Sequence, residues 1–181
     1  MTVATTARLA LRRLTEDDAP FVAELVNDPD WLRFIGDRGV RTLEDARGYI
    51  RNGPLAMYAR EGFGLLAVVL RGSGEPVGLC GLIRREGLPD VDLGFAFLPR
   101  HRGRGYARES AIAMLDHARD VTKLARVVAI ASPDNDRSIR LLRELGFRDE
   151  GMVAIPGDDA TLCYFVRELA PALSGSANRS S

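Results

Sequence analysis

The chain has 181 residues, a length that suits one domain able to bury its own core. Its 25 basic and 25 acidic residues cancel, so a non-specific polyanion binder, which carries a net positive field, is disfavoured. Two histidines and two cysteines are scattered without metal-ligand spacing, and the longest apolar run, "LLAVVL" at 65–70, is too short to span a membrane.

From the N-terminus, "MTVATTARLALRRL" lacks the apolar core of a signal peptide, and residues 7–14 alternate like a half-buried strand. "TEDDAPFVAELVND" reads as a helix capped by Thr15, with acids in its first turn and Phe21, Val22, Leu25 and Val26 as its apolar stripe. "DPDWLRFIG" is a short helical turn closed by Gly36. "TLEDARGYIRNGP" is a helix capped by Thr42, with Leu43, Ala46 and Ile50 inward, stopped by Gly53-Pro54. Two apolar runs about "RGSGEP" predict a hairpin over 63–87, and "DVDLGFAFLP" a third strand ended by Pro99. A helix from Gly105 to Asp120, a strand at 125–133, a helix from Asp134 to Phe147 and a strand at 161–169 complete the order. That order predicts a mixed α/β sheet in a single domain, residues 1–169, antiparallel early and βαβ-like late. The tail, 170–181, is small and polar and is expected to be disordered. Cys80 and Cys163 lie in strand-like runs and read as free thiols, which fits a reducing, cytoplasmic compartment.

The stretch "FAFLPRHRGRGYARES" gathers Arg100, His101, Arg102, Arg104 and Arg108 around Gly103 and Gly105, between a strand end and a helix start. Unpaired N–H groups at a helix N-terminus, backed by the helix dipole, favour a phosphate, and the glycines let it approach closely. Neither G-x-G-x-x-G nor G-x-x-x-x-G-K-[ST] is present. The pattern is R-x-x-G-x-G, Arg100 to Gly105. With this loop, and with "SPDNDRSIRLLRELGF" supplying Asn135, Ser138, Gly146 and Phe147 on the next strand–helix unit, the sequence resembles the GNAT superfamily of N-acetyltransferases over about residues 8–169. Its style is most similar to the Rim-type branch, which contains ribosomal-protein N-terminal acetyltransferases and also enzymes for other amines.

The resemblance implies a GNAT-type, mostly antiparallel central sheet flanked by helices, with a splayed strand pair admitting acetyl-CoA as co-substrate. Phe97 and Leu98 would offer backbone groups to the pantetheine, Gly94 is a candidate bulge, and Arg102, Gly103, Arg104, Gly105, Tyr106, Ala107 and Arg108 would cradle the pyrophosphate. Asn135 would contact the cofactor from the other wall, or simply cap its helix. Asp92 is the expected general base, with Glu150, Asp158 and Asp159 as rivals, because a carboxylate inside an apolar strand is costly unless used or paired. The tyrosine that many members use as acid is replaced here by Leu142. Ser138 is therefore the expected proton donor, with Tyr164 and Tyr106 as alternatives. Trp31, Phe34, Tyr49 and Tyr58 are candidates to line the acceptor pocket.

The acceptor implied is a primary amine, on a small molecule or a protein N-terminus. A lysine-like amine is neutral about once in 2,500 molecules at pH 7, whereas a peptide α-amino group costs only about 1 kcal/mol to deprotonate, so the lack of an obvious strong base favours low-pKa amines. A non-catalytic acyl-CoA sensor is the alternative, motivated by the absent tyrosine. An RNA-binding reading of the arginine loop lacks an aromatic platform and a positive net charge. No membrane or nucleic-acid partner is expected, and a homodimer is possible.

Overall fold

The computed structural model of the chain describes residues 1–170. The expected tail at 170–181 thus lies outside the described residues, apart from Ala170. The apolar run Leu65–Leu70 forms β3, whose side chains alternate between two cores: Leu66 and Val68 on one face, Ala67 and Val69 on the other. A strand apolar on both faces belongs at the centre of a covered sheet. β4 (Pro76–Ile83) pairs antiparallel with β3, and β5 (Asp92–Phe97) with β4. With β1 (Thr2–Thr5), β2 (Leu9–Arg13), β6 (Arg126–Ala131), β7 (Arg148–Ala154) and β8 (Thr161–Glu168), they make an eight-stranded sheet ordered β1-β2-β3-β4-β5-β6-β8-β7. Among the described residues only the β5–β6 pair is parallel.

Helices cover both faces, as the sequence implied. On one, Ala111, Met114 and Leu115 of α5 (Tyr106–Asp120) and Leu142 of α6 (Asp136–Glu144) pack with Leu66, Val68 and Leu93. On the other, Val22 and Leu25 of α1 (Ala19–Val26), Trp31 of α2 (Pro29–Phe34) and Ala46 and Ile50 of α3 (Leu43–Ile50) pack with Ala67, Val69 and Leu79. A short 3-10 turn, Glu16–Asp18, precedes α1; there Asp18 accepts from Thr15 N–H and pairs with Arg12 at 2.8 Å.

Three expectations need correction. Leu43 is exposed rather than inward. Gly53-Pro54 do not stop the helix: a wide π turn, Arg51–Leu55, carries it into α4 (Ala56–Glu61), which ends at the left-handed Gly62. Pro54 lacks an N–H and its ring would crowd the carbonyl four residues back; a widened turn accommodates both. The β4–β5 register also runs unbroken from Gly78↔Phe97 to Ile83↔Asp92, so Gly94 carries no bulge in that pairing.

Candidate active site

β5 and β6 meet at one pair only, Asp92↔Val128, where Val128 N–H donates to Val91 O at 2.9 Å. Beyond it the two strands part. The backbone of β5 then has one occupied edge and one open edge. Leu98 N–H donates to Val77 O at 3.0 Å, so by antiparallel alternation residues 92, 94 and 96 face β4. Phe95 turns its N–H and C=O toward the gap, as Leu93 does its C=O, while the Leu93 N–H belongs to the Asp92↔Val128 bridge with β6. This corrects the expectation for Leu98, whose N–H is committed to Val77 and whose carbonyl accepts from His101 N–H. Phe97 faces the gap side, but its carbonyl already accepts from Arg102 Nε at 3.0 Å. Phe95 was missed; only knowledge of which residues bond to β4 could have found it.

The loop after β5 makes a 3-10 turn, Pro99–His101, and then opens. Gly103 (φ 73°) and Gly105 (φ 80°) hold left-handed conformations, and Gly105 begins α5 without a side-chain cap. Among the described residues, the N–H groups of residues 103–108 have no protein acceptor, whereas Arg102, expected in the same cradle, donates its N–H to Pro99 O at 3.2 Å. Consecutive unpaired donors at the positive end of a 15-residue helix fit a pyrophosphate. The loop is buttressed from the N-terminal hairpin: Arg8 donates to Arg104 O at 2.9 Å, pairs with Glu109 at 2.7 Å and lies over the Tyr106 ring. The basic side chains divide. Arg100 pairs with Glu24, His101 with Glu75, and Arg102 with Asp28 and Asp30 at 2.8 and 2.6 Å. Arg104 and Arg108 are exposed and unpaired among the described residues.

α2 closes over the mouth of the gap, because its acids bind basic residues on both banks. Asp28 and Asp30 hold Arg102, Asp30 also meets Arg137 of α6 at 3.4 Å, and Arg33 meets Asp134 at 2.9 Å. Beneath it lies a cavity of about 430 Å³ between Phe95 and Ile130, reached also by Asn135, Ser138 and Asp92. A narrower space of about 140 Å³ runs from there along Phe97, Arg102 and Ala107. The two spaces share Phe95, Asn135 and Ser138 in their walls, and the second reaches Arg102 and Ala107, which flank the loop glycines.

The expected catalytic pair both line the cavity. Asp92 is 1% exposed and pairs with Arg85 at 2.8 Å. Burial pushes its carboxyl above the usual range, and the Arg85 charge only partly opposes this. Ser138 lies in the first turn of α6; its N–H donates to Asn135 Oδ1, so Asn135 both caps α6 and faces the cavity. Of the rival bases only Asp158 reaches the cavity, and the alternative donors Tyr106 and Tyr164 line neither space. Trp31, Phe34 and Tyr49 line it as expected, but Tyr58 is buried under β3, bonded to Leu14 N–H and Leu65 O. Arg38 and Arg85, not singled out from sequence, are on the wall. Among the described residues there is no metal-holding cluster and no helix long and apolar enough to cross a membrane.

Residues 8–148 match the family model described as an acetyltransferase (GNAT) domain. The uncharacterized N-acetyltransferase YnaD of Bacillus subtilis (strain 168) is 29% identical over 147 residues, covering 81% of this chain and 83% of that protein. The solved acetyltransferase from Agrobacterium tumefaciens str. C58 superimposes with a TM-score of 0.78 at 27% identity, covering 93% of this chain and 94% of that one. The Salmonella typhimurium acetyl transferase that modifies the N-terminal serine of ribosomal protein L7/L12 shares the fold, with a TM-score of 0.76 at 19% identity over 91% and 97% of the chains.

Proposed function

The chain belongs to the GNAT acetyltransferase family and is an N-acetyltransferase, and from that premise we propose that it takes its acetyl group from acetyl-CoA held along the loop and the open edge of β5. The observation that carries this is the row of unpaired N–H groups at 103–108 following the strand whose edge is left open past Asp92↔Val128. Gly103 to Arg108 would hold the pyrophosphate by main-chain donors, with Arg104 and Arg108 adding charge. Phe95, with the Leu93 carbonyl, would pair with the pantetheine amides as a neighbouring strand does. Acetyl-CoA supplies an activated thioester.

The residues then divide the chemistry. The amine attacks only when neutral, and Asp92, its carboxyl raised by burial, takes the proton directly or through water. Once protonated, Asp92 no longer carries a buried charge against Arg85. A β5 N–H turned into the gap donates to the oxygen on which charge develops during transfer. Ser138, on the opposite bank, gives a proton to the departing sulfur. Transfer is direct, within a complex of both substrates, since the two spaces share walls and bring both together. The acceptor is a primary amine, on a small molecule or a peptide N-terminus. Free cysteines at 80 and 163 support a reducing, cytoplasmic setting.

Calorimetric titration of acetyl-CoA, with NADH as control, tests the cofactor, and amine-dependent release of free thiol tests turnover. Micromolar binding of acetyl-CoA and thiol release on adding amine are expected. Binding without release for any amine would favour the sensor reading, and no binding by the folded protein would overturn the proposal.

A further inference from the structure

Trp31, Phe34, Pro54 and Met57 give the cavity apolar wall, and its polar groups include Arg85, Asp92, Asn135, Ser138 and Asp158. Arg38 and Tyr49 line the same cavity. Arg38 lies on the loop after α2, which is pinned by the Asp37–Arg41 ion pair and by Asn27 donating to Val40 O at 3.0 Å. Its own guanidinium has no acceptor among the described residues, although it lines the cavity. Tyr49 is half-buried on α3, and its hydroxyl too has no protein partner. Burial pushes the Tyr49 hydroxyl up, and the charges of Arg38 and then Arg85 pull it back, so both cations act on this hydroxyl. Arg85 is neutralised by Asp92, which leaves Arg38 uncompensated. Asp158, the other acid on the wall, accepts from Ala160 N–H at 2.9 Å.

A guanidinium and a hydroxyl that both lack a protein partner and both line one cavity make a site for a carboxylate. We propose that the acceptor is a small amine bearing a carboxylate close to the amine, of the α-amino-acid type with an apolar side chain, and that Arg38 and Tyr49 select it. The cavity of about 430 Å³ receives the acyl end as well, so it holds a molecule of amino-acid size beside it. This rests on the acetyl-transfer reading above and narrows it: a peptide N-terminus has no carboxylate next to its amine.

The test compares leucine with leucinamide as acceptors, by thiol release at saturating acetyl-CoA. Masking the carboxylate lowers the amine pKa toward that of a peptide α-amino group, about 7.7–8, so amine chemistry alone favours the amide. The expected result is a preference for leucine of about tenfold or more in kcat/KM, the size of a charged hydrogen bond, collapsing toward unity in Arg38→Met and falling part way in Tyr49→Phe. Arg38 is exposed, so its replacement leaves the fold intact. Equal or better use of leucinamide, or of a neutral peptide N-terminus, would overturn the inference, as would a leucine preference that survives Arg38→Met. Acetyl-CoA titration of the same preparations reports on the parent reading alone. Failure to bind removes both, whereas binding without carboxylate preference removes only this one.

Discussion

In the loop after β5, Arg100, His101 and Arg102 each meet an acidic side chain, whereas Arg104 and Arg108 meet none among the described residues. The main chain divides the same way: His101 and Arg102 N–H groups bond back to Leu98 and Pro99, and those of 103–108 have no protein acceptor. The first half is thus fastened and the second presented. Charge in the sequence does not distinguish them; the left-handed glycines do, because they turn the chain from a closed 3-10 turn to an open row of donors.

Substitutions sharpen this contrast. The largest effect is expected outside the loop, as a control on what the loop does not do. Asp92→Asn should lower kcat by about 10²–10⁴-fold while acetyl-CoA affinity stays unchanged. Because burial raises Asp92, and the base must be unprotonated, wild-type activity should rise with pH through a carboxylate titrating above its ordinary value of about 3.9. That limb should vanish in the variant; a pH–rate profile checks both.

Gly103→Glu with Gly105→Glu should weaken acetyl-CoA by about 100-fold or more in calorimetry, since each forces a side chain into a left-handed backbone and sets a carboxylate where an anion binds. Unchanged binding would break the contrast, placing the ligand elsewhere. Arg102→Ala should instead act on stability, by about 2–3 kcal/mol in denaturant unfolding, because buried Asp28 loses its ion partner. Arg104→Ala should be the mildest: stability within about 0.5 kcal/mol, and acetyl-CoA binding weakened a few-fold in a salt-sensitive way. If Arg104→Ala destabilised the fold as much as Arg102→Ala, the division of the loop would be wrong.

Much of this was legible in the sequence where one residue type has one physical use. The runs at 65–70 and 77–83 read as a hairpin and form β3 and β4, and the glycines at 103 and 105 read as a tight turn and hold left-handed backbone. The gaps have physical causes. β7, "RDEGMVA", is an edge strand almost wholly exposed, so neither face selects apolar residues and no alternation appears; β1 is a four-residue edge. Gly53-Pro54 carries a strong stop signal locally, and the π turn overrides it because Pro54 and Ile50 are buried against the sheet. Which β5 residues face the gap depends on bonding parity with β4, which a single strand does not encode. Arg38 is ordinary in sequence; only the cavity beside it makes its lack of a partner informative.

The single pair Asp92↔Val128 also has a thermodynamic consequence. Across that seam the sheet is held by one bridge and by the core beneath it, where Val127, Leu142 and Phe165 pack with Leu66 and Leu93, so the strand edges bordering the gap should exchange amide hydrogens before either side opens as a whole. A ligand lying in the seam couples them, adding about 2.7 kcal/mol at a hundred times its dissociation constant. The protein's resistance to unfolding and proteolysis would then track the supply of its own acyl donor, with no regulatory element beyond the interrupted sheet.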